Sequence, residues 1–195
     1  TVDGDIAMTA AGGDITMTTA TANAVGGGFN GGSTTDLAVN PTTYVSKVNG
    51  EIITTILVDL DDFVCSGTIK DIIGENDTSA AYLTQITTAV NGIIYKAEMS
   101  CIEAPAGSNT TADIDLVTNS ASLAEDAEYD GSGTATVLIA ATAAYTNGST
   151  RYSAAGADFA NCVDDYLYLA NGDGSHSGGT FTGGKFIIKL YGASF

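Results

Sequence analysis

Apolar and polar positions along this chain follow two textures, and they change near residue 51. At the start, GDIAMTAAG (residues 4–12) is followed directly by GDITMTTAT (residues 13–21), a near copy of nine residues. In each copy two long apolar side chains alternate with small or polar ones: Ile6 and Met8, then Ile15 and Met17. That period of two predicts a short strand in each copy, with AAGG (residues 10–13) as the turn between them. Further on, GGGFNGG (residues 26–32) interrupts any regular element. Long apolar residues are too sparse over residues 1–50 to bury much surface, so this segment reads as an extended Thr/Gly/Ala-rich arm that needs another surface to lie on.

From Glu51 the strand signal is dense. EIITTILVDL (residues 51–60) is rich in β-branched residues. AAYLTQITTAV, GIIYKAEMSCIEA, DIDLVTN, TATVLIA, DDYLYLA and GKFIIKLYG follow, separated by turn clusters such as GENDTS, APAGSN, EYDGSG, TNGS and NGDGSHSGG. Asn91-Gly92 between two apolar runs is a hairpin signal. DFVCSGTIKDIIG (residues 62–74) and SAAGADFANC (residues 153–162) are the only stretches where one or two helical turns are expected. The reading is an all-β protein, an antiparallel β-sandwich or jelly roll over residues 51–195, preceded by the extended N-terminal arm of residues 1–50. In the last strand Phe186, Ile188 and Leu190 fall on one face, and Lys185, Ile187, Lys189 and Tyr191 on the other. A charged face on a terminal strand is expected at a solvated sheet edge, and Lys185, Lys189 and Tyr191 form a candidate docking strand for an acidic neighbour.

Charge narrows the function classes. The chain carries 23 Asp and Glu against 6 Lys and Arg, a net charge of −17 over 195 residues. Phosphate backbones and anionic membrane surfaces both call for clustered cations, so neither nucleic acid nor membrane is an expected partner. Such a charge favours solubility in high salt and keeps unrelated neighbours apart. The 3 cysteines, Cys65, Cys101 and Cys162, are widely spaced and odd in number, which argues against a disulfide framework and a zinc site. No run of 18 apolar residues is present, and no basic segment precedes an apolar one in the manner of a signal peptide. Synthesis in the cytoplasm without export is the expectation, and a start at Thr-Val also fits a mature chain whose leader has been cleaved.

Candidate chemistry is thin. His176, the single histidine, sits in GDGSHSGG, where Ser175 or Ser177 would need an Asp to complete a triad, and no GxSxG elbow accompanies it. Asn171, Asp173 and Ser175 have the spacing that opens a calcium loop, but residues 176 and 182 lack the Gly and Glu that an EF-hand requires. Looser calcium candidates are Asp59, Asp61, Asp62 and Asp173, with Glu125, Asp126, Glu128 and Asp130 as a further acidic group. Asp113 and Asp115 share a strand face and could serve as the paired carboxylates of a glycosidase. With 0 Trp, the aromatic platform of a sugar cleft would have to come from the 9 Tyr, for example Tyr166 and Tyr168. GGGFNGG lacks the Lys-Ser/Thr of a P-loop, and the sequons at Asn76, Asn109 and Asn147 mark exposed turns. No cofactor is expected, calcium being the one ion with candidates.

GDITMTTATANAVGGGFNGGSTTD, IEAPAG and DDYLYLANGDG…GGTFTGGKFIIKLYG resemble small β-rich virion structural proteins of marine tailed bacteriophages, over most of the chain. The resemblance implies a non-enzymatic capsid decoration or cement protein that stabilises a shell by arm exchange and β-edge contacts. Its location would be the virion, and its partners would be capsid protein or copies of itself in a homo-oligomer. It carries no catalytic residues over. The alternatives are a carbohydrate-binding jelly roll of a fibre or surface protein, calcium-dependent or not, and a self-assembling shell or filament subunit. An enzyme, such as a polysaccharide hydrolase or lyase, is the least favoured reading.

Overall fold

Strands with β-branched alternation need a neighbouring strand and a cover on the apolar face, and this chain supplies both by folding into two stacked antiparallel sheets. The computed structural model describes residues 8–10, 13–15, 24–29, 41–76, 79–155, 157–174 and 176–194. In chain order the strands are β1 (Met8–Ala10), β2 (Gly13–Ile15), β3 (Thr42–Val48), β4 (Glu51–Asp59), β5 (Val64–Cys65) and β6 (Thr84–Gln85). A one-turn helix α1 (Thr88–Asn91) follows, then β7 (Ile93–Gly107), β8 (Ile114–Asn119), β9 (Ala135–Ile139), β10 (Thr150–Tyr152), β11 (Tyr166–Asn171) and β12 (Gly179–Ala193). The larger sheet runs β10-β7-β12-β4-β3, with β5 paired to the start of β12, and the smaller one runs β6-β11-β8-β9. The all-β sandwich expected from the sequence is what these sheets form.

The nine-residue repeat gives a separate two-stranded ladder in which Met8 pairs with Ile15, Thr9 with Asp14 and Ala10 with Gly13. Ile6 and Met17 lie outside the described residues. The expected boundary between residues 50 and 51 falls inside a hairpin: Val48 pairs with Glu51, leaving Asn49-Gly50 as a two-residue loop. Both loop residues have positive φ, 51° and 84°, as a hairpin whose twist matches its strands requires. Residues 42–48 are therefore a strand of the main sheet. Further upstream, Gly26 and Gly28 donate backbone hydrogen bonds to the carbonyls of Tyr82 and Ala80, and Phe29 is fully buried, stacked on Phe63 at 4.3 Å.

Between the sheets lies the main core. Ile56, Val58, Met99, Phe186, Ile188 and Leu190 point in from the larger sheet, and Ile114, Leu116, Leu167 and Leu169 from the smaller. The inward face expected for Phe186, Ile188 and Leu190 is confirmed. A second, smaller core covers the other face of the β8–β11 pair, where Val117, Tyr168 and Ala170 meet Ile72, Ala81, Leu123 and Tyr129 from flanking loops. This explains why every residue of β8 is buried, with no polar alternation to mark its faces.

Two expectations are corrected. Asn91-Gly92 is not a hairpin turn: Asn91 ends α1, and β6 and β7 on either side belong to different sheets. The Asn91 side chain is 1% exposed, donates to Thr54 Oγ1 at 2.8 Å and accepts from the Thr87 amide at 2.9 Å, so it braces the crossover. Residues 62–74 hold the short strand β5 and isolated bridges rather than helix, while 153–162 contain a single 3-10 turn, Phe159–Asn161.

Candidate functional site

The docking strand predicted at a sheet edge is the central strand of the larger sheet. β12 pairs with β4 on one side and β7 on the other. Its outward side chains are consequently engaged within the chain. Lys185 bonds Glu103 at 2.7 Å and lies 3.9 Å from Asp59; Lys189 lies 3.7 Å from Glu98; the Tyr191 hydroxyl donates to Glu98 at 3.0 Å. These three residues form the middle of a sheet face, not an edge reaching for an acidic partner. Among the described residues the outermost strands of this sheet are β3 and β10.

That outward face is organised in cross-strand rows. Tyr44, Thr55, Lys189, Glu98 and Tyr152 line up across five strands, and beside them run Thr42, Leu57, Ile187, Ser100 and Thr150. Tyr44 and Tyr152, at the two ends of the first row, are each 57% exposed. Lys96 sits 4.5 Å over the Tyr191 ring and 4.9 Å over the Tyr152 ring. Three of the chain's 6 basic residues, Lys96, Lys185 and Lys189, thus stand on this face next to Asp59, Glu98 and Glu103. In a chain of net charge −17, this is a face where charge nearly cancels.

A second feature lies where the ends of β8, β9 and β11 meet. Thr110, Thr111, Ala112, Asp113, Thr142, Ala143, Ala144, Asp173 and Gly174 enclose an open cavity of about 560 Å³. The Thr111 hydroxyl donates to the Asp113 carbonyl at 2.8 Å and accepts from its amide at 3.1 Å, fixing the entry to β8. Gly172 donates its amide to the same carbonyl at 2.8 Å. A Cβ at residue 172 would stand 2.7 Å from Asp113 Cγ, so the first glycine of NGDG makes room for this carboxylate. Asp115 is 9% exposed and accepts from the Ala141 amide at 2.7 Å. Burial pushes its carboxyl up to about 6, the Ala141 amide opposing and the Asp113 charge adding to the rise. Burial raises Asp113 as well, against the pull of Arg151. Arg151 donates to the Ala143 and Ala144 carbonyls and stacks 4.3 Å from the Tyr145 ring centre. His176 Nδ1 lies 2.7 Å from the Gly174 carbonyl.

The chain order separates Asp113, Arg151, Asp173 and His176, and the fold brings them to one end of the sandwich; Arg151 carried no sequence signal at all. The calcium candidates do not converge. Asp59 accepts from the Asp61 amide at 3.1 Å beneath Lys185, whereas Asp173 lines the cavity, to which Asp59, Asp61 and Asp62 contribute nothing. Among the described residues no three His, Cys, Asp or Glu side chains are placed to hold a metal ion. Tyr166 and Tyr168 offer no sugar platform: Tyr168 is fully buried, accepting from the Leu123 amide and donating to the Ala121 carbonyl, and Tyr82 packs against both rings. Cys65, Cys101 and Cys162 are free and buried. Among the described residues no helix is long and apolar enough to cross a membrane.

Neither family models, nor curated proteins, nor solved structures give a match to this chain.

Proposed function

We propose that this chain is a non-enzymatic structural protein that works by assembling with copies of itself on a larger particle, as its resemblance to small virion proteins implies. The observation that carries this reading is the outward face of the larger sheet. Copies with a net charge of −17 repel one another over most of their surface. On the β10-β7-β12-β4-β3 face the lysines are matched to neighbouring carboxylates, and half-buried Ile53, Leu57 and Ile187 are flanked by exposed tyrosines. Aromatic residues with few unpaired charges are the composition of an interface centre. The β1–β2 ribbon adds a second contact, because a ribbon this short gains what it lacks by laying its strands against a neighbouring copy.

Light scattering coupled to size exclusion tests the reading. The native chain is expected at a multiple of 19.7 kDa, and the double variant Tyr44→Glu, Tyr152→Glu at the mass of one chain. Both tyrosines are more than half exposed, so the substitutions leave folding intact. A native protein that stays at single-chain mass at high concentration refutes assembly through this face.

A further inference from the structure

We propose that the cavity at the entry to β8 binds an organic cation, an alkylammonium or guanidinium group, with Asp113 as its counter-ion. Asp113 is 8% exposed, and its Oδ1 has no hydrogen-bond partner among the described residues. A buried carboxylate oxygen without a donor is costly, and a charged donor offsets the cost more than a neutral one does. The wall chemistry selects the ligand. Thr110 and Thr142 contribute hydroxyls that accept from N–H groups, and Ala112, Ala143 and Ala144 offer methyl groups to an alkyl stem. Asp173 adds a second negative charge at the rim.

Other ligand classes fit less well. An anion would need Arg151, whose guanidinium is committed to the Ala143 and Ala144 carbonyls and the Tyr145 ring. A metal ion finds less: among the described residues no three His, Cys, Asp or Glu side chains converge here. No aromatic side chain lines the cavity to stack on a sugar ring. A volume of about 560 Å³ exceeds a bare ammonium group and takes the side chain together with part of the backbone that carries it. Free diamines and the lysine or arginine side chain of a peptide share this chemistry. The site stands on its own, whether or not the chain assembles.

Calorimetric and NMR titrations at pH 7.5 and low salt, with putrescine and with N-acetyl-lysine methylamide, test the proposal and separate the two sources. Saturable binding of either, with amide shifts at Ala112, Ala143 and Gly174, is expected, and n-butanol is expected not to bind. Asp113→Asn should weaken binding at least about tenfold. Asp173 is exposed, so Asp173→Asn cannot fail through misfolding, and it should weaken binding about threefold by removing rim charge. Equal affinity for n-butanol, equal affinity of both variants, displacement of the amine by millimolar calcium, or no saturation would each overturn the proposal. Because the titration reads the cavity and light scattering reads the sheet face, failure of the titration would leave the assembly reading standing, and a monomeric protein that binds amine would separate the two the other way.

Discussion

Replacing Asp115 by Asn should stabilise this protein at neutral and alkaline pH, although Asp115 is a buried, hydrogen-bonded residue in the middle of the fold. An unfolded Asp titrates near 3.8, and burial holds the folded carboxyl at about 6. The folded state therefore binds the proton more tightly, so the fold gains stability as pH falls from about 6 towards 3.8 and bears the whole penalty above about 7. The interval corresponds to at most about 3 kcal/mol, at about 1.4 kcal/mol per pH unit. Asn keeps an acceptor for the Ala141 amide, but a neutral one, which gives back about 1 kcal/mol. Solvent reaching the open cavity beside Asp113 screens part of the rest. A net gain of about 1–2 kcal/mol remains, or about 2–8 °C in Tm for a chain of this size. Denaturant unfolding of both proteins at pH 8 and pH 5 measures it. Burial also raises Asp71 and Asp165, and those groups are common to both proteins; Asp113 is coupled to Asp115 by charge, so the difference between the two curves reports residue 115 together with the relief of that repulsion. A variant that is less stable at pH 8, or a gap that does not shrink at pH 5, would refute the reasoning.

Two further outcomes follow from the core. Phe29→Ala should cost about 3–5 kcal/mol in denaturant unfolding, because Phe29 is fully buried against Phe63, and a loss below about 1 kcal/mol would mean that the segment is peripheral to the body. Cys65, Cys101 and Cys162 are at most 3% exposed and burial raises all three thiols, so an aromatic disulfide reagent at pH 8 should label none of them in the folded protein and all three in guanidinium; rapid labelling of one would place it at the surface.

The cation site and the sheet face lie on different parts of the sandwich and make different demands. The proposed assembly through the sheet face calls for neutrality there, so that like-charged copies can approach. The cavity uses the opposite property, a local excess of carboxylate in a partly enclosed space, where a single charge pair counts for more than at an open surface. The acidic composition leaves room for both because so many carboxylates have no basic residue to meet.

Much of the architecture was written in local pattern. Period-two alternation placed β4 and β12 and chose the inward face of β12, since a strand that buries one side has no other way to point Phe186, Ile188 and Leu190. The acidic balance, the absence of a cysteine framework and the nine-residue repeat were likewise readable from the chain. What only the tertiary structure decided depended on partners distant in sequence. Asn-Gly occurs at 49–50 and at 91–92, and the same dipeptide closes a hairpin in one place and ends a helical turn in the other, because Val48 and Glu51 share a sheet while β6 and β7 do not. Lys185 and Lys189 read as an edge because their strand is last in the chain, yet strand order in a sheet is independent of chain order, and β12 lies at the centre. Tyr166 and Tyr168 alternate as an open face would, and loops from elsewhere cover Tyr168 fully and Tyr166 in part. The segment near residue 29 looked too sparse for a core, but one buried ring against Phe63 is enough to join it to the body. Asp113, Arg151 and Asp173 meet only because the entry to β8, strand β10 and the loop after β11 come to one place, a convergence that no spacing along the chain encodes.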